Sequence, residues 1–219
     1  MKLTKYRDDL ILGLIGPPAG RRILDVGCGD GALTLELAAR GARAVGVDSS
    51  AAMVAAANGR AAAAGAGVTF ETGKAEALPF EAGTFDVVVA VTVLCFVGDT
   101  TRAVAEMARV LKPGGRLVVG ELGRWSSWAA LRRIRGWLGS PVWRRARFRS
   151  AGDLRRLVDG AGLTGVSVTG AVFYPPCATA ARLGRPMDAR IGRCTTAGAA
   201  FLALAATKPC QTVEHGRTE

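Results

Sequence analysis

The sequence has one histidine, few cysteines and no long apolar run, and each shortage excludes a class of function. His215 is the only histidine and lies in the polar C-terminal tail, so we do not expect a catalytic histidine. The five cysteines are scattered without a CxxC pair, which predicts free thiols and no metal site. The longest uncharged run, 160–181, is broken by three glycines and a Pro-Pro pair, so no membrane-spanning helix is predicted.

Acidic residues are scarce in one region, and basic residues are concentrated there. The chain carries a net charge of +11, yet no Asp or Glu lies between Glu121 and Asp153. Eight arginines lie in that stretch: Arg124, Arg132, Arg133, Arg135, Arg144, Arg145, Arg147 and Arg149. All four tryptophans of the chain lie there too: Trp125, Trp128, Trp137 and Trp143. We call residues 123–150 the basic insert.

Length and composition predict one globular domain. With 219 residues and 49% hydrophobic content, the chain has enough apolar surface for a sizeable core. We assign 1–208 to the domain, with 1–20 as an N-terminal cap over the ligand side and 209–219 as a disordered tail. The short apolar run at the N-terminus follows two aspartates, which is atypical of a secretory signal, so a cytoplasmic location is expected.

Short β-branched runs alternate with longer amphipathic segments, which is typical of a parallel sheet joined by helical crossovers. The predicted strands are Ile23–Val26, Ala42–Val47, Val68–Glu71, Phe85–Val91, Arg116–Glu121, Val166–Tyr174 and Thr196–Ala206. The predicted helices are Leu3–Ile15, Ala32–Arg40, Ser50–Ala64, Thr100–Leu111 and Ala151–Ala161. The pattern predicts an α/β, Rossmann-like fold.

Glycines follow the first of these strands in "ILDVGCGDG". Gly27, Gly29 and Gly31 leave the backbone bare where the strand turns into a helix, at the sheet edge where such folds bind ligands. Asp48 ends the second strand, and an acidic side chain there can accept hydrogen bonds from both hydroxyls of a ribose. Helix capping is the alternative role for Asp48, and Ser49 or Ser50 could equally cap that helix.

Four segments together resemble the class I S-adenosylmethionine-dependent methyltransferases, specifically the small-molecule type 11 group. They are "ILDVGCGDG", "VGVDSS", "GKAEALPFEAGTFDVVVAVTVLCFV" and "ARVLKPGGRLVVGEL". The resemblance implies a seven-stranded sheet, mostly parallel with an antiparallel last strand, helices on both faces, and S-adenosylmethionine as the cofactor. It also implies a small-molecule methyl acceptor.

The resemblance implies a set of cofactor-binding residues: Asp25, Gly27, Cys28, Gly29, Asp48, Ser49, Met53, Ala75, Glu76 and Val91. One position departs from the family pattern, because Lys74 stands where these proteins commonly have Asp. A lysine cannot accept a hydrogen bond from the adenine amino group. Adenine recognition is therefore expected to depend on backbone groups or on a neighbouring side chain.

The basic insert is expected to determine the acceptor. A helix there would place on one face Trp128, Leu131, Ile134 or Arg135, and Leu138, and would leave Arg132 and Arg133 toward the other. Such a helix can simply pack on the sheet, can close over a hydrophobic or anionic acceptor, or can lie on an anionic membrane. It can also contact phosphates, although nucleic acid is the less favoured partner. Trp125, Trp128 and Arg132 are the predicted acceptor-contacting residues.

Methyl transfer from a sulfonium requires alignment of two reactants, and a base only where the acceptor must lose a proton. The candidates on the expected acceptor side are Glu121, Tyr6 and Thr92, with Cys95 and Tyr174 less favoured. Other readings stay open at this stage. One is a nicotinamide-dependent oxidoreductase, a second is a non-catalytic cofactor-binding or membrane-docking protein on the same fold, and a third is methylation of a thiol-bound metalloid. The sequence indicates no oligomeric state.

Overall fold

The computed structural model describes residues 3–174, 188, 190–192 and 194–210. Its helices are α1 (Leu3–Ile15), α2 (Ala32–Ala39), α3 (Ala51–Ala63), α4 (Thr100–Val110), α5 (Ser127–Trp137), α6 (Pro141–Arg145) and α7 (Ala151–Gly160). Its strands are β1 (Arg22–Val26), β2 (Arg43–Asp48), β3 (Thr69–Thr72), β4 (Phe85–Val91), β5 (Leu111–Leu122), β6 (Thr164–Ala171) and β7 (Phe201–Thr207). His215, Cys177 and most of the predicted tail lie outside the described residues.

The seven strands form one sheet in the order β3-β2-β1-β4-β5-β7-β6. Strands β1 to β5 pair in parallel, and β7 runs antiparallel to both of its neighbours. The predicted mostly parallel sheet with an antiparallel last strand is therefore confirmed.

Two predicted strand starts differ from the structure by more than two residues. Strand β5 begins at Leu111, which pairs with Phe85, and the pairing resumes only where Arg116 meets Val87. The residues between them form a bulge, because Pro113 has no N–H to donate and Gly114 adopts a φ of 76°. Strand β7 begins at Phe201 rather than Thr196, since a turn precedes it.

The alternating side chains of β4 fill two separate cores, as expected for a strand covered on both faces. Val88 packs in a cluster with Met107 of α4 and Leu154 of α7. Val89 packs in a second cluster on the other face with Ile11 of α1. Helices α1, α4 and α7 are therefore held to the sheet by buried apolar side chains. Within the described residues, no helix is long and apolar enough to cross a bilayer.

The chain reverses its direction of travel across the sheet between β1 and β4. From β1 it proceeds to β2 and β3 on one side, then returns to place β4 and β5 on the other side of β1. Adjacent crossovers that leave in opposite directions open a crevice at the carboxyl ends of the strands. The glycine loop after β1, Asp48 at the end of β2 and the loop after β4 meet at this crevice.

Candidate active site

The glycine loop forms one wall of a first cavity of about 380 Å³ at the carboxyl edge of the sheet. Gly27 lines it with a φ of 69°, a left-handed conformation that favours glycine. A Cβ atom at Gly27 would collide with the side chain of Val93, so the loop after β4 packs directly on bare backbone. The N–H of Gly27 donates to the carbonyl of Val47 at 2.7 Å, which fixes the loop to β2.

Asp48 presents its carboxylate to the same cavity. Its Oδ2 accepts a hydrogen bond from the N–H of Gly29 at 2.9 Å, and its Oδ1 accepts from the N–H of Ser50 at 2.9 Å. The N-cap of α3 is Ser50, whose Oγ accepts from the N–H of Met53. Ser50 therefore caps helix α3. Asp48 lines the cavity, and two backbone N–H groups fix the orientation of its carboxylate.

Five of the predicted cofactor-binding residues line the first cavity: Gly27, Asp48, Ser49, Ala75 and Glu76. Lys74, where the chain departs from the family pattern, lines it too. Met53 and Val91 are not among its lining residues, and Met53 is an exposed side chain. The cavity thus contains a polar end at β2 and β3 and an apolar end at the loop after β4.

Asp25 and Cys28 point away from the first cavity, into the protein. Asp25 is buried and accepts a hydrogen bond from the Thr34 hydroxyl at 2.7 Å, and burial raises the pKa of Asp25 to about 7. Cys28 packs in a cluster with Phe70, and burial raises the pKa of its thiol to about 12. Both side chains therefore support the loop from within, and the thiol is unreactive at neutral pH.

A second cavity of about 200 Å³ adjoins the first, and Thr92 lines both. Most of its wall is apolar and comes from parts of the chain far apart in sequence. The lining residues are Arg7, Thr92, Leu122, Trp128, Arg132, Val172, Ala200 and Phe201. None of these eight is a histidine or a carboxylate, whereas two are arginines. The wall of the second cavity is thus mostly apolar, and its two arginines give it a positive charge. Its described lining residues include no ordinary general base.

Two lining residues of the second cavity have strained backbones. Thr92 has a φ of 61° and Val172 a φ of 62°, and they are the only non-glycine residues with positive φ in the described part of the chain. Both are β-branched, for which the left-handed region is especially unfavourable. Strain of this kind persists only where the surroundings impose it, and it concentrates at functional sites.

A buried carboxylate holds each strained segment in place. Asp188, 1% exposed, accepts hydrogen bonds from the N–H groups of Val172 at 2.7 Å and Phe173 at 2.9 Å. Glu121, fully buried, accepts from the N–H groups of Val93 at 3.0 Å and Leu94 at 2.7 Å, directly after Thr92. Asp188 could not be identified from the sequence, because it belongs to no periodic pattern or motif.

Of the candidate catalytic residues, Thr92 alone lines both cavities. Glu121 lines neither cavity, and burial raises its pKa to about 7 against the opposing effects of the Leu94 N–H and Arg149. Tyr6 lies in α1, one residue before the cavity-lining Arg7. Cys95 is buried, and burial raises the pKa of its thiol. No group of three or more metal-ligating side chains occurs among the described residues.

Arg132 lies on the inner face of α5, and our prediction that it lies on the face opposite Trp128 was wrong. Its guanidinium lies 5.5 Å from the ring centroid of Trp128 and 5.1 Å from that of Trp143, between two indoles. The outward positions are instead taken by Ile134 and Leu138, which are 46% and 81% exposed. Cation–π contacts on both sides allow the charged side chain to occupy the inner face.

The two other predicted acceptor-contacting residues are placed differently from each other. Trp128 lines the second cavity, and its Nε1–H donates to the carbonyl of Tyr174 at 2.9 Å. Trp125 is 67% exposed, stacks with Arg124 at 5.2 Å and is not among the lining residues of the second cavity. The sequence missed Arg7 and Val172, which reach the second cavity from α1 and from the end of β6.

Comparisons with known proteins agree with the geometry. A family model described as a methyltransferase domain matches residues 24–119. The ubiquinone biosynthesis O-methyltransferase of Idiomarina loihiensis is 32% identical over 162 residues, covering 71% of this chain and 67% of the relative. The corresponding protein of Rhizobium etli is 32% identical over 177 residues, covering 78% and 71%.

A solved structure from Thermotoga maritima, a SAM-dependent methyltransferase titled as a possible histamine N-methyltransferase, is also similar. It superposes with a TM-score of 0.71 at 26% identity, covering 92% of this chain and 87% of that one. These relatives do not favour the oxidoreductase or the non-catalytic reading of the fold. The chain belongs to the class I S-adenosylmethionine-dependent methyltransferases of the type 11 group, and it uses that cofactor to methylate a small molecule.

Proposed function

We propose that the acceptor is a small phenol, which binds in the second cavity as the phenolate and is methylated on oxygen. Two relatives at 32% identity are O-methyltransferases, which favours oxygen as the methylated atom. A cavity of roughly 150 Å³ accommodates benzene, so the 200 Å³ of the second cavity suit a single substituted ring. The apolar wall formed by Leu122, Trp128 and Phe201 suits the faces of such a ring.

The residues of the first cavity fit the cofactor. The Asp48 carboxylate can accept hydrogen bonds from two ribose hydroxyls, and the backbone of Gly27 lines the same cavity, where it can contact the aminoacyl portion. Glu76 lies in the cavity wall beside Ala75 and can accept a hydrogen bond that Lys74 cannot. When bound, S-adenosylmethionine supplies an electrophilic methyl group on a positively charged sulfur, for an in-line attack by the acceptor.

The proposal depends mainly on Arg132, whose guanidinium lacks an anionic partner among the described residues. Its Nη1 is buried and has no hydrogen-bond partner among the described residues, and no described carboxylate forms an ion pair with it. Burial lowers the pKa of Arg132, although a guanidinium stays protonated at neutral pH. An unpaired, partly buried cation beside an apolar cavity is stabilised by an anionic ligand.

Positive charge in the second cavity can take the place of a general base, since its described lining residues include no histidine or carboxylate. A cation close to a phenol hydroxyl stabilises the phenolate and lowers the phenol pKa. Arg132, fixed between two indoles, can provide this effect, and Arg7 adds positive charge at the same cavity. Arg7 is already paired with Asp8 at 2.9 Å, so Arg132 is the principal group.

Thr92 occupies the boundary between the two cavities and is suited to alignment. Its N–H donates to the carbonyl of Gly120 at 2.6 Å, and the next two N–H groups are held by Glu121. The segment that separates the two ligands is therefore fixed by three hydrogen bonds. Rigid alignment of the two reactants contributes more to such a displacement than any single proton transfer.

A direct test uses methyl-labelled cofactor with single-ring phenols, the corresponding anilines and the corresponding thiols. We expect labelled product from the phenols, with the methyl group on oxygen by nuclear magnetic resonance, and little from the anilines. Binding of S-adenosylhomocysteine by calorimetry serves as the control for a functional first cavity. Intact cofactor binding combined with methylation of the anilines alone would contradict the proposal about the acceptor.

A further inference from the structure

Large exposed apolar side chains concentrate at one place on the molecule. Of the seven that the described part of the chain exposes, five lie in the basic insert: Trp125, Ile134, Trp137, Leu138 and Val142. Four of these belong to the helical hairpin of α5 and α6, where Trp137 is 83% exposed and Leu138 is 81% exposed. We call Ile134, Trp137, Leu138 and Val142 the apolar tip.

The apolar tip is a continuous surface formed by the end of α5 and the start of α6. At about 3.6 residues per turn, Ile134, Trp137 and Leu138 share one side of α5. Val142 follows in the first turn of α6, directly after the connection between the two helices. The helices pack tightly, since a Cβ at Gly136 would lie 3.1 Å from the backbone of Trp143 and of Arg144. The tip is therefore presented by a compact, rigid hairpin.

Only cations accompany the apolar tip. Arg135, Arg144 and Arg145 are exposed beside it and make no ion pair among the described residues. The stretch between Glu121 and Asp153 contains no acidic residue at all. A surface of tryptophan and aliphatic side chains bordered by arginines complements a bilayer interface that carries anionic headgroups.

From this complementarity we infer that the apolar tip docks the protein peripherally on an anionic membrane surface. The aliphatic side chains enter the acyl boundary, Trp137 lies at the headgroup level, and the arginines contact lipid phosphates. Nucleic acid is a poorer fit, because Ile134, Leu138 and Val142 would gain nothing from a phosphate backbone. Docking leaves the site accessible to its own ligands, since Trp128 and Arg132 lie on the opposite side of α5.

The test is flotation of the intact protein with vesicles of phosphatidylcholine alone and of equimolar phosphatidylcholine and phosphatidylglycerol. We expect binding to the anionic vesicles that weakens as salt is raised, and little binding to pure phosphatidylcholine. The double variant Trp137→Ser/Leu138→Ser should bind the anionic vesicles at least about tenfold more weakly. The double variant Arg144→Ala/Arg145→Ala should bind about thirtyfold more weakly, since each arginine near the surface contributes a factor of about five.

The matched control is Arg43→Ala/Arg155→Ala, which removes the same charge from exposed positions on β2 and α7 and should retain vesicle binding. Far-ultraviolet circular dichroism and S-adenosylhomocysteine binding verify that each variant is folded. Wild-type protein that does not float, or a Trp137→Ser/Leu138→Ser variant that floats as well as wild type, would overturn the inference. So would a dimer in light scattering that this variant converts to a monomer, because a second copy would then be the occupant.

Discussion

Glu121 holds Leu94 across the carboxyl edge of the sheet, with its Oε1 accepting the Leu94 N–H at 2.7 Å. The same oxygen accepts the N–H of Val93, while Oε2 has no hydrogen-bond partner in the described part of the structure. Glu121 is fully buried, so this carboxyl group fixes the loop after β4 at the expense of its own hydration. It therefore acts as a positioning residue for Thr92, which lines both cavities.

The buried carboxyl of Glu121 makes stability depend on pH. Burial raises its pKa from 4.5 to about 7, so the folded state favours the protonated form. The protonated carboxyl contributes fully to the free energy of unfolding at pH values below 4.5, its pKa in the unfolded chain. This contribution, roughly 3 kcal/mol, is lost as the pH rises through about 7. We expect Glu121→Gln to become more stable relative to wild type as the pH rises from about 4 to about 8, measured by urea unfolding.

Asp25 provides the comparison for this effect, because burial raises its pKa to about 7 as well. Asp25→Asn should remove a similar share of the pH dependence, whereas Asp86→Asn should not, since ion pairing with Lys112 lowers the pKa of Asp86. A difference between Glu121→Gln and wild type that is the same at every pH would refute the assignment.

The strained backbone of Thr92 predicts that glycine is more stable than alanine at this position, which reverses the usual order. At ordinary φ, glycine is less stable than alanine by roughly 0.5–1 kcal/mol. At a φ of 61° a side chain is strained, so we expect Thr92→Gly to be more stable than Thr92→Ala by about 1 kcal/mol in urea unfolding. The exposed Thr69 of β3 is the control, where the usual order should hold. Equal stabilities at position 92 would argue against strain there.

Both Thr92 variants should lose methyl transfer while retaining the cofactor. Removal of the side chain that separates the two cavities should reduce kcat for a phenol acceptor by about tenfold or more, because alignment is relaxed. Calorimetry should show S-adenosylhomocysteine bound within about threefold of wild type, which is about 0.7 kcal/mol. A purely structural role for Thr92 would instead lower both quantities together.

Asp48 is the carboxylate on which cofactor affinity is expected to depend most. Asp48→Asn removes the charge from two potential hydrogen bonds to the ribose, each charge-assisted and contributing about 1.5–3 kcal/mol. We expect binding of S-adenosylmethionine to weaken by at least about tenfold in calorimetry. Glu76→Gln, in the same cavity, should have a smaller effect, and Asp86→Asn, at the opposite edge of the sheet, should have none. Unchanged affinity in Asp48→Asn would be incompatible with a ribose-binding role.

Arg132 should control the pH dependence of catalysis. If it stabilises the phenolate, Arg132→Met should raise the apparent pKa of kcat/KM by about one unit and lower kcat/KM about tenfold near neutral pH. The matched variant Arg135→Met removes the same charge from an exposed position of the same helix and should leave the pKa in place. A pH profile that is unchanged in Arg132→Met would assign this arginine to packing between Trp128 and Trp143 alone.

The cofactor side of the site could be predicted from sequence because its determinants are local. The glycines that follow β1 and the acid that ends β2 occupy fixed places relative to buried strands, and parallel pairing brings those strand ends to one edge. Gly27, Asp48 and Ala75 consequently line one cavity, although they come from three separate crossovers. The orientation of Asp25 and Cys28 into the protein required knowledge of packing, since the motif does not specify side-chain direction.

Local patterns in the sequence specify the alternation of strands and helices, the position of the glycine loop and the strong positive charge of the basic insert. Packing between distant segments, in contrast, turns Arg132 inward between two indoles and leaves Ile134 and Leu138 facing outward. A charged residue can occupy the inner face of a helix when aromatic rings surround it. The periodicity of the sequence alone does not show which rings will lie there. The second cavity likewise exists only after α1, β5, α5 and β7 come together, because contacts between distant segments leave no local pattern in the chain.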